Sequence, residues 1–228
     1  MEQTQVEKPL IVKKARITRG DKNKPFETEL CKMFFKHRAD KCPQIFHSYS
    51  PAYYEVLHEK RYEIKSFLEI GVGTNKIMNR MCSGDYEPGA SLKSWADFFT
   101  NAKIFGLDID ETVLFETDRI KCFYTDQSNA TSLEETISNI RSSEKNENLK
   151  FDVILDDGSH ILKHMKLTYN TLSKYVRDGG YYIIEDIKKK DIPLFEKLVS
   201  DDFEVVKIHE GEFYWDSFIV YRKKENES

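Results

Sequence analysis

The chain has 228 residues, of which 35 are Lys or Arg and 39 are Asp or Glu, so its formal net charge is −4. This balance excludes a nucleic-acid-binding protein whose affinity depends on an overall basic surface. No apolar run approaches the roughly 18–20 residues that a membrane-spanning helix needs, and the N-terminal residues contain no apolar signal segment. The sequence therefore predicts a cytoplasmic protein that binds neither nucleic acid nor a membrane, and it leaves a homo-oligomer open.

Composition divides the chain into an arm, one domain and a short tail. Residues 1–24 are rich in charge and show little apolar periodicity, which is typical of a flexible arm. A stripe of phenylalanine and leucine at helical spacing predicts a helical cap over residues 25–62, lying on the carboxyl edge of a sheet. A single domain is predicted over residues 25–223, followed by a solvated tail at 224–228.

Short apolar runs alternate with segments of helical spacing through most of this domain. Such alternation predicts βαβ units and a mainly parallel sheet. Two later apolar runs flank a turn containing Glu-Gly and are predicted to form an antiparallel hairpin at the sheet edge. The expected fold class is α/β: a Rossmann-like, mainly parallel, seven-stranded sheet with a C-terminal antiparallel hairpin and helices on both faces, as in class I methyltransferases. The predicted strands are 65–70, 102–108, 120–124, 151–155, 180–184, 203–209 and 213–222.

A glycine-rich turn follows the first predicted strand, where Glu69 precedes Gly71 and Gly73. Glycines at such a turn let the backbone come close to a nucleotide-like ligand. The third glycine of a dinucleotide fingerprint is missing because position 76 is Lys76, so an ordinary strand-to-helix turn is the alternative. The acid before the glycines forms an E-x-G-x-G pattern, which is typical of S-adenosylmethionine (SAM) sites and favours that cofactor.

Carboxylates also end the second and third predicted strands. Asp108 is placed to accept both hydroxyls of a ribose, because a carboxylate has two acceptor oxygens; a plain loop carboxylate is the alternative. Asp126 is placed where an adenine amino group would be read, although an Asx turn explains it nearly as well. Both positions fit a nucleoside pocket at the carboxyl edge of the sheet.

Acid pairs follow the fourth and fifth predicted strands: Asp156 and Asp157, with His160 close behind, and Glu185 and Asp186. Clustered carboxylates are costly unless a cation or a proton is bound. Oxygen ligands without cysteine suit a hard ion such as Mg²⁺. An imidazole beside such a site is a natural proton acceptor, whereas polar loops carrying a surface histidine are the alternative.

Taken in order, these motifs resemble the Mg²⁺-dependent, SAM-dependent sugar O-methyltransferases of macrolide tailoring, the mycinamicin and macrocin methyltransferase family. The resemblance covers roughly residues 40–222. The motifs that carry it are DK at 40–41, HSY at 47–49, YY at 53–54, LEIGVG at 68–73, GASLKSW at 89–95, IFGLDID at 104–110, TDQS at 125–128, VILDDGSH at 153–160 and GGYYIIEDI at 179–187.

The resemblance implies methylation of a hydroxyl on a sugar, a deoxysugar or a nucleotide-linked sugar, with SAM and Mg²⁺ as cofactors. It implies that Asp157, Glu185 and Asp186 hold the metal and that His160 is the general base, so that the catalytic pair is His160 and Asp157. The positions implied to contact SAM are Glu69, Gly71, Gly73, Asp108 and Asp126, with Ser91 and Tyr49 as further contacts.

Three other functions fit parts of the pattern. The same fold and metal would serve an O-methyltransferase of a catechol or another small molecule, because vicinal oxygens are needed in both cases. A nicotinamide-dependent oxidoreductase is disfavoured by the missing third glycine and the acid-rich sheet edge. A non-catalytic SAM-fold binding protein is disfavoured by the joint presence of His160 and the acids, although presence alone does not establish activity.

Overall fold

The computed structural model describes residues 20–82 and 86–225. Most of the predicted arm (residues 1–19) and the last part of the predicted tail (residues 226–228) lie outside the described residues. Within the described part of the chain, no helix is both long and apolar enough to cross a bilayer.

Seven strands form a single sheet in the order β3-β2-β1-β4-β5-β7-β6. The first five pair in parallel, whereas β7 is antiparallel to both β5 and β6, so the predicted α/β class with a C-terminal antiparallel hairpin is confirmed. The strands are β1 (Ser66–Ile70), β2 (Lys103–Asp108), β3 (Ile120–Tyr124), β4 (Phe151–Asp156), β5 (Val176–Ile184), β6 (Phe203–Glu210) and β7 (Ser217–Lys223).

The hairpin lies at the edge of the sheet, as predicted, with β7 between β5 and β6 and with β6 as the edge strand. First and last residues of its strands differ slightly from the prediction. Strand β7 begins at Ser217 and not at residue 213, because residues 211–216 form a closed loop in which the Gly211 N–H donates to the Asp216 carbonyl at 2.5 Å. That loop brings the Asp216 carboxylate to the carboxyl edge of the sheet, near the cap.

Helices cover both faces of the sheet. They are α1 (Glu29–His37), α2 (Tyr49–Leu57), α3 (Asn75–Met78), α4 (Ala90–Phe98), α5 (Ala130–Ser143), α6 (Leu162–Leu172) and α7 (Ile192–Glu196). Within the predicted helical cap, residues 25–62, the structure has two helices, α1 and α2. Helix α1 begins where the Thr28 side chain accepts the Cys31 N–H and ends at Arg38, whose φ of 62° is incompatible with further helix.

Two cores follow from the alternation of side chains along each strand. On one face, Phe67 and Leu155 pack with Trp95 of α4 and with residues of α1 and α2. On the other face, Leu68 and Ile154 pack with residues of α5, α6 and α7. Residues 38–48 form the loop that joins α1 and α2. Because these two helices pack in the first core, the loop lies at the carboxyl ends of the parallel strands.

Candidate functional site

A cavity of about 760 Å³ opens at the carboxyl ends of the parallel strands. This is the edge at which open α/β sheets bind ligands, and the volume is that of a site for a cofactor-sized molecule. Its wall is formed by the loops after β1 to β5, the loop between α1 and α2, α3 and the start of α4. The ends of all five parallel strands thus contribute to one cavity, whereas α2, which bears Tyr49, does not line it.

The loop after β1 shows why glycine is required there. Gly71 has φ of +100° and Gly73 has φ of +85°, and both line the cavity. A Cβ on Gly71 would lie 2.1 Å from the Asp157 carbonyl oxygen, so only glycine lets the β1 and β4 loops come this close. The Asp108 carboxylate then fixes the loop by accepting the N–H groups of Val72 at 2.8 Å and Gly73 at 3.2 Å.

We expect Gly71→Ala to lower stability by about 2 kcal/mol or more and to weaken cofactor binding, because backbone strain of about 1–3 kcal/mol adds to a clash with backbone. Chemical denaturation and calorimetry measure both effects. The matched control is Gly179→Ala, where φ is +73° but a Cβ would meet only the Glu225 carboxylate at 3.1 Å. Equal losses in the two variants would contradict the role of close loop approach.

Glu69, which the sequence predicted to contact SAM, lies beneath the cavity wall. Its side chain is fully buried and accepts a hydrogen bond of 3.0 Å from the Ser91 hydroxyl. Burial raises the pKa of Glu69 to about 8, although the Lys41 ammonium at 3.7 Å opposes the shift. Ser91 itself lines the cavity, so Glu69 is placed to act on a ligand through Ser91.

The two other predicted cofactor carboxylates both line the cavity. Asp108 also accepts the Asp110 N–H at 2.9 Å, so its oxygens are engaged by backbone donors on the cavity side of β2. Asp126 accepts the N–H and the hydroxyl of Ser128 at 2.9 and 2.7 Å, and these bonds lower its pKa. The Asx turn considered for Asp126 is therefore present, at a place where the carboxylate still faces the cavity.

The acids after β4 and β5 converge with His160. One ligand atom each from Asp157, His160 and Asp186 lie within 4.8 Å of one another. His160 Nε2 is 3.1 Å from Asp157 Oδ1, and its Nδ1 is 3.3 Å from Asp186 Oδ2. His160 and Asp186 have φ of 54° and 53°, a strained conformation for residues other than glycine that is found at functional sites.

The electrostatics of this group are dominated by negative charge. Burial lowers the pKa of His160, but the hydrogen bond to Asp157 and the charge of Asp186 outweigh it and raise the pKa above its ordinary value. Burial disfavours the charged form of Asp157 and so raises its pKa. The Lys41 and His160 cations outweigh this effect, so the pKa of Asp157 lies below its ordinary value. The Asp157 carboxylate is therefore balanced by two cations, Lys41 and His160.

Glu185, predicted as a metal ligand, is placed differently from the other two acids. It is fully buried, and Lys41 Nζ donates to its Oε2 at 2.5 Å and also to Asp157 Oδ2. The Tyr53 hydroxyl donates to the remaining oxygen. Burial lowers the pKa of Lys41, yet the carboxylates around it raise it well above its ordinary value, so Lys41 is a permanent internal cation.

Tyr49, predicted as a SAM contact, lies behind the acids and away from the cavity wall. Its hydroxyl donates to Asp186 Oδ1 at 2.7 Å. Its ring stacks on the His47 imidazole with centroids 4.5 Å apart, and His47 Nδ1 is 2.6 Å from Asp216 Oδ1. The structure thus makes Tyr49 a support of Asp186, connected through His47 to the loop before β7.

The cap contributes four further side chains to the site, to which the sequence analysis assigned no role. They line the cavity or contact its acids, and they are Asp40, Lys41, His47 and Tyr53. They lie on the loop between α1 and α2 and on α2, far from the strand ends in sequence. The only sequence signal for them is the ordered run of DK, HSY and YY motifs before the first strand. Strand-end reasoning could not connect them to the acids, because that contact forms only when the cap packs on the sheet.

Comparison with known proteins identifies the fold and the family. The family described as "Methyltransferase domain" matches residues 64–225. The structure of the MycE methyltransferase in complex with Mg, SAH and mycinamycin VI superposes with a TM-score of 0.65, at 24% identity, over 91% of this chain and 55% of that one. This likeness supports the class I fold that the sequence predicted.

Curated relatives point in the same direction. The chain is 34% identical over 144 residues to a demethylmacrocin O-methyltransferase of Streptomyces fradiae, covering 62% of this chain and 32% of the relative. It is 31% identical over 164 residues to a mycinamicin VI 2''-O-methyltransferase of Micromonospora griseorubida, covering 72% and 36%. The chain thus spans about a third of the length of these relatives. On the match across its whole sheet, the chain belongs to the methyltransferase domain family.

Proposed function

We propose that this protein is a SAM-dependent, Mg²⁺-dependent O-methyltransferase that methylates a hydroxyl of a sugar or of a sugar-containing small molecule. The observation that carries the proposal is the convergence of Asp157, His160 and Asp186 on the cavity that Gly71 and Asp108 also line. A nucleoside site and a cation site with an imidazole therefore share one space. The relatives named for sugar-bearing antibiotics support the choice of a sugar hydroxyl.

The residues present fit SAM. The backbone of the glycine loop forms part of the wall, and Asp108 and Asp126 provide acceptor oxygens beside it. A ribose and an adenine amino group are the hydrogen-bond donors that such carboxylates recognise. In this site the loop and the acids would orient the cofactor, and orientation alone contributes several kcal/mol to methyl transfer.

The residues also fit a divalent cation. Asp157 and Asp186 are carboxylates within 4.8 Å of each other and of the His160 nitrogen, and carboxylate oxygens are the ligands that Mg²⁺ prefers. Glu185 would join them only by exchanging its Lys41 contact. Bound Mg²⁺ supplies Lewis-acid polarisation of an acceptor hydroxyl.

His160 is the proton acceptor in this proposal. Its imidazole is 40% exposed and faces the cavity between the two acids, so it reaches an acceptor oxygen without a change of fold. The charges of Asp157 and Asp186 raise its pKa. Neutralising those charges lowers the pKa again, so proton acceptance by His160 belongs to the cation-bound site.

Calorimetry with SAM and with S-adenosylhomocysteine, in Mg²⁺ and then in EDTA, tests the cofactor. We expect both ligands to bind under both conditions, because the cofactor wall and the cation cluster use different residues. Methyl transfer is then assayed with nucleotide-linked deoxysugars, glycosylated macrolides and catechols as acceptors. Absence of binding by either cofactor ligand would overturn the proposal, and turnover of catechols alone would replace the acceptor class.

We expect Asp157→Asn to weaken Mg²⁺ binding by at least about tenfold and to make the remaining rate equal in Mg²⁺ and in EDTA. The reason is that an amide lacks the charge that attracts the cation. SAM affinity should stay within about threefold, since Asp157 faces the cation cluster. Full activity of this variant in EDTA would remove the metal from the proposal.

A further inference from the structure

One acid in the cavity wall has no hydrogen bond to its carboxylate within the described part of the chain. Asp40 is 8% exposed and lines the cavity. Its nearest ion-pairing atom is His47 Nε2, 3.7 Å from Asp40 Oδ2, which is too far for a hydrogen bond. Burial raises the pKa of Asp40 by more than the Lys41 and His47 cations lower it, so these cations offset only part of the cost of burying this carboxylate.

The other acids of the same wall are satisfied by nearby donors. Asp108 accepts three backbone N–H groups, Asp126 accepts from Ser128, and Asp110 accepts the N–H and hydroxyl of Thr112. A buried polar group without a partner, set among satisfied ones, points to a donor that arrives with a ligand. Because the group is a buried carboxylate, a cationic donor fits it best.

The position of Asp40 within the cavity can be read from its neighbours. Burial, followed by the negative charge of Asp40, raises the pKa of Tyr86 and of Cys82. The Tyr86 hydroxyl donates to the Val72 carbonyl at 2.9 Å and would meet a Cβ on Gly73. Asp40 therefore lies beside the glycine loop.

Asp40 also adjoins the cation cluster, because His47 Nε2 is 3.7 Å from both Asp40 Oδ2 and Asp186 Oδ1. Asp40 thus lines the same cavity as Asp126, the glycine loop and the acids. SAM has its adenosine on one side of the sulfonium and an amino-acid chain with an ammonium on the other. With adenosine between Asp108 and Asp126, the amino-acid chain is the part that would extend toward Asp40.

We propose that Asp40 is a cofactor-binding residue that accepts a charge-assisted hydrogen bond from the α-ammonium of SAM. The inference rests on the proposed function, because it takes SAM as the ligand of this cavity. It assigns to the cap a direct part in cofactor recognition.

The experiment compares ligands with and without the ammonium on the full chain. Binding of S-adenosylhomocysteine and of methylthioadenosine, which lacks the amino-acid chain, is measured by calorimetry for the wild type and for Asp40→Asn. We expect the variant to lose about 10- to 100-fold in affinity for S-adenosylhomocysteine and less than twofold for methylthioadenosine. Retained methylthioadenosine binding also shows that the cavity of the variant is intact.

The matched control is Asp110→Asn, which removes one charge from the same wall and should change both affinities by one common factor. A deaminated S-adenosylhomocysteine, with carboxylate kept and ammonium removed, should bind the wild type and Asp40→Asn equally. The inference would be overturned if Asp40→Asn lost the same factor of affinity for every cofactor ligand. It would also be overturned if Asp40→Asn kept its affinity for these ligands but had a raised KM for the acceptor. A wild type that binds none of these ligands would instead overturn the proposed function.

Discussion

Replacing His160 by alanine is expected to lower kcat by about 10²- to 10⁴-fold, the range for loss of a general base. SAM affinity should stay within about twofold, because the imidazole contacts Asp157 and Asp186 and not the glycine loop. Steady-state kinetics at saturating Mg²⁺ and calorimetry with SAM give the two quantities. A variant that loses SAM binding would contradict the role assigned to His160.

His37→Ala is the control for this substitution. His37 also pairs with an acid, its Nε2 lying 2.8 Å from Asp97 Oδ2, but it lies on α1 outside the cavity wall. We expect its kcat to match that of the wild type. If both histidine variants lose activity to the same extent, loss of a histidine–aspartate contact, and not loss of a base, would explain the result.

Lys41→Met is expected to lower the free energy of unfolding by about 3–5 kcal/mol, the cost of removing one partner from a buried ion pair. Lys41 is 1% exposed and contacts both Asp157 and Glu185, so its loss leaves one buried and one partly buried carboxylate without their cation. Urea denaturation in EDTA measures the change. A loss below about 1 kcal/mol would show that the ammonium is not needed there.

A second substitution separates charge from packing. In Lys41→Met with Glu185→Gln, one charge of each sign is removed, so most of the stability should return. Lys36→Met, which breaks an exposed pair with Asp97, should cost less than about 1 kcal/mol. If the double variant is as unstable as Lys41→Met, the aliphatic part of the Lys41 side chain, and not its charge, stabilises the packing of the cap.

The strand ends were predictable from local sequence, and the reason is visible in the structure. Each apolar run that ends in glycine or acid is a buried strand whose polar end leaves the core. Parallel pairing then brings all of these ends to one edge. Hence Gly71, Asp108, Asp126 and Asp157 all line one cavity, as their positions after strands predicted.

The cap residues were not predictable in the same way. No local pattern says that a lysine at position 41 will reach a glutamate at position 185, because that contact depends on how α1 and α2 pack on the first core. The same packing moves Tyr49 from an expected cofactor contact to a support of Asp186. The roles of Tyr49 and Glu185 toward SAM and metal stay predictions, now with a defined environment.

Sequence by itself determined the fold class, the edge of the sheet that carries the site and most of the residues there, since alternation and strand termini are local properties. Tertiary structure alone decided which charges meet. It placed Lys41 between Asp157 and Glu185, bent the backbone at His160 and Asp186, and left the Asp40 carboxylate without a donor. The Lys41 contacts join segments more than a hundred residues apart, and the energy of a buried charge depends on such neighbours and not on its place in the chain.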